Sequence, residues 1–196
     1  MRILTTNLAS VLGVDADGAR NAKADDCSSK VSKSRRSAMI TIQSNIHVDR
    51  ISGMEIFNFL INPTDREYQR WWPGTHIELH NIKHGANNIG NIVYMDEFIG
   101  EHRVKMTGIV IEAEPGKKIM WRLKKFVRLP IWLSLEFEDD HGGVAITHTI
   151  RAGFAGIGRI FDVLLRFYFS DEFGKAMDEH VKTEFPKLRE MLLGEM

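Results

Sequence analysis

Residues 102–121 read HRVKMTGIVIEAEPGKKIMW, and the way this stretch divides decides the fold. Val104, Met106, Gly108 and Val110 fall on one side of an alternating run, and Ile119, Trp121 and Leu123 fall on one side of the next. A repeat of two marks a half-buried strand, whereas a helix would return its apolar residues every third or fourth position. Glu114-Pro115-Gly116 between the runs is a turn sequence, because proline presets φ at the corner and glycine accepts the left-handed position. Two strands joined by so short a connection pair antiparallel.

The same reading extends outward. Strands are expected at Thr75 to Ile82, Asn91 to Ile99, His102 to Ala113, Lys117 to Val127, Pro130 to Asp139 and Val144 to Ala152. The breaks are Gly85 to Gly90, Gly100-Glu101, Glu114-Pro115-Gly116, Arg128-Leu129 and Asp140 to Gly143, each short enough for a hairpin. The chain should therefore form an antiparallel meander. Its inward face is expected to carry Ile77 and Leu79, the two sets named above, Ile131, Leu133, Leu135 and Phe137, and finally Val144, Ile146, His148 and Ile150.

Ile40 to Val48 also alternates, with Ile40, Ile42, Ser44, Ile46 and Val48 on one face. Ser52 and Glu55 have capping-box spacing, and Met54, Phe57, Leu60 and Ile61 share a face of the helix that follows. Asn62-Pro63 ends this helix and starts another, which runs through Tyr68, Trp71 and Trp72 to a stop at Pro73-Gly74. After Gly153 the helical period returns. Ile160, Phe161, Leu164, Leu165 and Tyr168 make one stripe; Phe173, Met177, Val181, Phe185, Leu188 and Leu192 make another. Pro186 lies within the second, where a bend is expected.

A strand, two short helices, six antiparallel strands and a long closing helix make an α+β order that resembles the helix-grip fold. That fold belongs to the START and birch-pollen-allergen superfamily, often called SRPBCC, and within it the chain resembles the group named polyketide cyclase/dehydrase or lipid-transport proteins. The residues that carry the likeness are Ile46 to Ile61, Asn62-Pro63 with Tyr68 and Trp71-Trp72-Pro73-Gly74, the turn from Glu112 to Trp121, Gly142 to His148, and a closing helix with Glu184 and Leu188. The resemblance spans roughly residues 40 to 193. It implies a curved seven-stranded sheet wrapped around the C-terminal helix, with a cavity between them that takes a hydrophobic small molecule such as a lipid, an isoprenoid or an aromatic polyketide.

A concave sheet too wide to be filled by its own side chains leaves the kind of apolar pocket in which small molecules bind. Lining candidates are Trp72, Met106, Trp121, Leu133, Phe161, Leu165, Met177 and Val181. His148 shares a face with Val144, Ile146 and Ile150 and is the candidate acid or base for a cyclase- or dehydratase-like reaction. Tyr94 and Asp96 share one face of their strand and are expected at the pocket mouth. His76, Glu78 and His80 sit at alternate positions, and strand imidazoles so spaced can hold zinc when a third ligand converges. With Ile77 and Leu79 turned inward, however, these three should face water or the sheet edge, so no metal site is expected. No cofactor is implied: Gly153, Gly156 and Gly158 lack the spacing and βαβ setting of a phosphate loop, and no G-x-S-x-G elbow occurs.

Composition bounds the remaining function classes. The chain has 196 residues, 26 basic and 26 acidic side chains, and 43% hydrophobic residues. This zero balance lacks the charge excess of a protein that grips nucleic acid by its phosphates. The charges are unevenly spread: residues 1–38 hold Arg2, Arg20, Lys23, Lys30, Lys33, Arg35 and Arg36 against Asp15, Asp17, Asp25 and Asp26, seven minus four or +3, which leaves −3 for residues 39–196. Residues 1–38 contain no aromatic residue and read as a disordered tail, while 39–196 read as the folded domain. The single cysteine, Cys27, forms no internal disulfide. No run approaches the roughly 18 apolar residues of a membrane-spanning helix, and a cytoplasmic protein is expected. Ile157 to Phe169 carries more aromatic residues than one helix face needs, which suggests peripheral contact with a membrane, docking of a partner, or a homodimer in place of a monomer.

Overall fold

Ser52 shows how closely local sequence governs this chain. Its hydroxyl accepts the Glu55 backbone N–H at 3.3 Å while the Glu55 carboxylate accepts the Ser52 N–H at 2.8 Å. That reciprocal pair starts helix α1, Gly53–Ile61. The structure, a computed structural model, describes residues 39–124, 128–154 and 156–195. The expected tail with Cys27, the end of the expected strand at Val127, and the side chains of Ile157 and Ile160 lie outside the described residues.

The elements follow the expected order. Strand β1, Ile40–Asp49, precedes α1 and a second short helix α2, Asp65–Trp71. The meander is β2, His76–Lys83; β3, Ile92–Ile99; β4, His102–Glu114; β5, Lys118–Lys124; β6, Arg128–Asp140; and β7, Gly143–Ala152. A 3-10 turn at Gly156–Phe161, the short helix α3, Asp162–Tyr168, and the long helix α4, Asp171–Leu192, complete the chain. All seven strands form one antiparallel sheet in the order β1-β7-β6-β5-β4-β3-β2, so β1 pairs with the last strand, Ile40 opposite Ala152 and Asp49 opposite Gly143. Register irregularities interrupt β2, β4 and β5. An inserted residue bends its strand and increases its twist, which lets a sheet curl around a helix.

Helix α4 occupies the concave side. Ser170 caps it, accepting the Phe173 N–H at 3.1 Å, and Asp171 and Glu172 place negative charge at its N-terminus. It runs without a break across Pro186. Phe173, Met177, His180, Val181, Phe185, Leu188 and Met191 are buried along it. The Trp71 indole N–H donates to the Glu184 carbonyl at 2.7 Å and ties α2 to α4.

Several details differ from expectation for identifiable reasons. Thr64, not Asn62, caps α2, because its hydroxyl accepts the Glu67 N–H. Met54 points away from the core and is 43% exposed; the buried face of α1 is Ile56, Phe57, Leu60 and Ile61. In β2 the register shifts between His76 and Glu78, so His76 and Leu79 are the buried pair and Ile77 remains partly exposed. Strict alternation fails wherever such an irregularity intervenes.

The capping box should be measurable. Ser52→Ala is expected to destabilise the protein by about 1 kcal/mol, and Met54→Ala by less than about 0.5 kcal/mol because it is an exposed substitution. Urea unfolding monitored by circular dichroism checks both; equal effects would contradict the assignment.

Candidate functional site

Between the sheet and α4 lies a cavity of about 110 Å3, counted as the space open to the centre of a water-sized sphere. One water needs only about 10–15 Å3 on that measure, so the void far exceeds a packing defect. Along the sheet its wall is largely apolar, with Val93, Met95 and Ile99 from β3, Val104 and Met106 from β4, and Trp121 from β5, joined by Lys105, Lys124 and His148. Alternation on β3 puts Glu97 on that same wall.

Of the eight lining candidates, Met106, Trp121, Leu133 and Met177 border the cavity, and so does His148. The others lie elsewhere. Leu165 and Val181 are buried packing residues outside the lining. Trp72 stacks on the His180 ring with centroids 4.9 Å apart, under the Lys187 ammonium. Phe161 is 50% exposed beside Val163 at 59% and Phe167 at 82%. Tyr94 shares the outer face of β3 with Asp96, its ring 5.5 Å from His80. On that face Arg103 forks onto Asp96 at 2.9 and 2.8 Å and Lys105 lies at 3.3 Å. Burial pushes the Asp96 carboxyl up, but these two cations outweigh it and hold the group below its usual range.

At the α2–α4 end the cavity wall turns polar, with Tyr68 of α2, Glu97 of β3, and His180 and Glu184 from successive turns of α4. His76, at the start of β2, is buried directly behind this wall and completes the cluster. The Tyr68 hydroxyl donates to Glu97 Oε2 at 2.5 Å, and its ring stacks on His76 with centroids 3.9 Å apart. His76 Nδ1 lies 3.3 Å from the Tyr68 carbonyl, to which it donates, so its Nε2 faces inward as an acceptor. His76 Nε2 stands 3.8 Å from Glu97 Oε2 and 3.6 Å from Glu184 Oε1; His180 Nε2 stands 3.7 Å from Glu97 Oε2 and 3.7 Å from Glu184 Oε2. Ligand atoms from all four side chains lie within 4.8 Å of one another. Burial pushes the carboxyl groups of both Glu97 and Glu184 up; the Tyr68 hydrogen bond opposes part of the rise at Glu97 and the Asp96 charge adds to it, while the Glu97 charge pushes Glu184 up further. Burial also pushes the His76 imidazole down to about 3, with the His180 charge adding to it, and His180 down to about 4. Both rings are neutral at pH 7.

The alternation of β2 predicts His76 facing water or the sheet edge, whereas it is buried; Glu184 enters the sequence reading only through the resemblance of the closing helix, and Glu97 and His180 do not enter it as site residues. Glu97 continues the alternation Val93, Met95, Ile99, and the four-residue spacing of His180 and Glu184 matches one helical face; both signals were available. A second group, Asp65, Glu78 and His80, gathers at the surface, where Asp65 accepts from the Leu79 N–H and pairs with His80.

No family model matches the sequence, and no curated protein does either. Solved structures do. The chain is similar to a protein of unknown function from Staphylococcus aureus, at 12% identity and a TM-score of 0.53 over 80% of this chain and 96% of that one. It is similar to a norcoclaurine synthase point mutant from Thalictrum flavum in complex with a transition-state analogue, at 13% identity and a TM-score of 0.52 over 81% and 97%. It is also similar to a major latex-like protein from Panax ginseng, at 9% identity and a TM-score of 0.50 over 74% and 98%. These likenesses show the helix-grip, birch-pollen-allergen-like fold of SRPBCC proteins. Among the described residues no helix is long and apolar enough to cross a membrane.

His148 provides a pH test of the cavity wall. Burial pushes its imidazole down to about 4 from 6.5, with the His180 charge adding to the effect. Below 6.5 the unfolded chain binds a proton that the folded protein refuses until about pH 4, so this histidine withdraws stability as pH falls through that window. Glu97 and Glu184 act in the opposite sense but are common to wild type and variant. Relative to wild type, His148→Leu should therefore gain about 2–3 kcal/mol between pH 7 and pH 4. Urea midpoints across that range measure it; a pH-independent difference would contradict the buried, neutral ring.

Proposed function

We propose that the protein binds a hydrophobic small molecule, such as a lipid, an isoprenoid or an aromatic polyketide, in the cavity between the sheet and α4. The cavity itself carries this reading. Protein interiors pack like organic crystals, and a void of this size forfeits dispersion contacts along its whole wall. An apolar guest restores them. Trp121, Met95, Met106 and Leu133 offer aromatic and adaptable surface to such a guest, since methionine adjusts to irregular shapes. His148 supplies a polar contact partway along the wall: its Nδ1 is buried without a hydrogen-bond partner among the described residues. A guest with a donor or acceptor at that height gains orientation as well as affinity.

Displacement of a fluorescent fatty-acid probe, with native mass spectrometry for stoichiometry, tests the reading. One equivalent should bind to the wild type. Leu133→Trp, which extends a wall residue into the void, is expected to weaken the probe at least about tenfold while keeping the melting temperature, because the added ring has room that a filled core would deny it. Absence of binding to wild type, or unaltered binding to Leu133→Trp, would sink the proposal.

A further inference from the structure

The geometry points to His76, Glu97, His180 and Glu184 as a site for one divalent transition ion of the zinc class, held at the α2–α4 end of the cavity. Four observations converge on it. The donor set is two imidazole nitrogens and two carboxylates, a combination that suits zinc and its neighbours. Neither His76 Nε2 nor His180 Nε2 has a hydrogen-bond partner among the described residues, although both atoms are buried. Their distances to the carboxylate oxygens, 3.6 to 3.8 Å, are too long for hydrogen bonds. One ligand atom from each of the four side chains lies within 4.8 Å of the other three, so modest side-chain rotations toward a common centre bring them to zinc–nitrogen and zinc–oxygen bonds of about 2.0–2.2 Å. Glu184 turns one oxygen toward each histidine, while Glu97 presents a single oxygen to both.

Charge and support agree with the geometry. Two carboxylates plus a divalent cation sum to zero charge, the balance a low-dielectric interior favours. Asp96, one residue from Glu97, has Arg103 and Lys105; the basic partners within ion-pair distance of Glu97 and Glu184 are the two histidines alone, among the described residues. The ligands are also held from behind. Tyr68 fixes Glu97 through its hydroxyl and the His76 tautomer through its carbonyl, the kind of outer hydrogen bonding that orients metal ligands. Glu97, His180 and Glu184 all line the cavity, so an ion there keeps one face toward whatever the cavity holds. The site stands independently of the hydrophobic guest.

The test uses the untagged full-length protein, stripped with a chelator and titrated with Co2+ and then Zn2+. One equivalent of Co2+ should bind with the intense visible absorption of a four-coordinate site, be displaced by Zn2+, and raise the melting temperature. Glu184→Gln and His76→Asn should each lower Co2+ affinity more than about 100-fold, beyond what loss of a supporting hydrogen bond removes. His80→Ala, in the surface cluster, should leave uptake unchanged. The proposal falls if wild type takes up no stoichiometric metal, if bound Co2+ shows the weak spectrum of a hydrated six-coordinate ion, or if His80→Ala abolishes uptake that Glu184→Gln retains. The wild-type titration decides the question even if a variant fails to fold. In that case the proposal stands or falls on the Co2+ stoichiometry and spectrum.

Discussion

The seat of α4 against the sheet governs everything the cavity contains, and the Trp71 indole N–H donated to the Glu184 carbonyl is the bond that fixes it. Trp71 is itself buried, with Phe59 edge-on at 5.4 Å and Phe185 at 6.1 Å. A donor so desolvated must find a partner, or its burial would cost on the order of 1–3 kcal/mol. By choosing a backbone carbonyl on α4, it sets the rotation and height of that helix relative to α2. Glu184 and His180, one turn apart, then have no freedom to look anywhere but toward Glu97 and His76.

Asp96 and Glu97 show what that placement does to chemistry. They are neighbours in sequence, yet the pleat sends them to opposite faces of β3. Asp96 meets Arg103 and Lys105 and ionises easily; Glu97 meets a phenol, two neutral imidazoles and a second carboxyl, and ionises reluctantly. Composition is the same at both positions, a carboxylate in a strand. Environment alone separates a structural ion pair from a group poised to accept a proton or a cation.

Much of the fold was legible because the chain obeys its periods. The alternation through Val104 to Val110 and Ile119 to Leu123, the turn at Glu114-Pro115-Gly116 and the box at Ser52 and Glu55 each say locally what the whole structure says globally. The site was less legible, for reasons that differ by residue. His76 could not be placed, because the register irregularity after it reverses which side chains face inward and leaves no trace in hydropathy. Glu97 and His180 were readable in principle, but a search for apolar stripes discards the polar residue within the stripe. Val181 and Leu165 failed in the opposite direction: periodicity identified them as inward-facing without separating residues that fill the core from those that border the void. Tyr94 went astray through the choice of face on β3, where Val93, Met95 and Ile99 define the inner one.

The two ends of the cavity make unlike demands, and this limits what can satisfy both. Away from His148, Lys105 and Lys124 the sheet wall asks for carbon, since a polar atom set against Met106 or Trp121 would lose its water without replacement. The α2–α4 end contains two carboxyls that resist ionising and two buried imidazole nitrogens without a hydrogen-bond partner among the described residues. A purely hydrocarbon guest would fill the first region and leave the second as unsatisfied as before. A cation at the four-residue cluster removes that conflict: it takes the inward lone pairs, lets both carboxylates ionise, and offers its remaining face to an oxygen or nitrogen at the end of an apolar body. With the proposed ion in place, the proposed hydrophobic guests would be told apart by their polar end, because the apolar wall contributes similarly for many chains while one donor atom at the ion contributes for few.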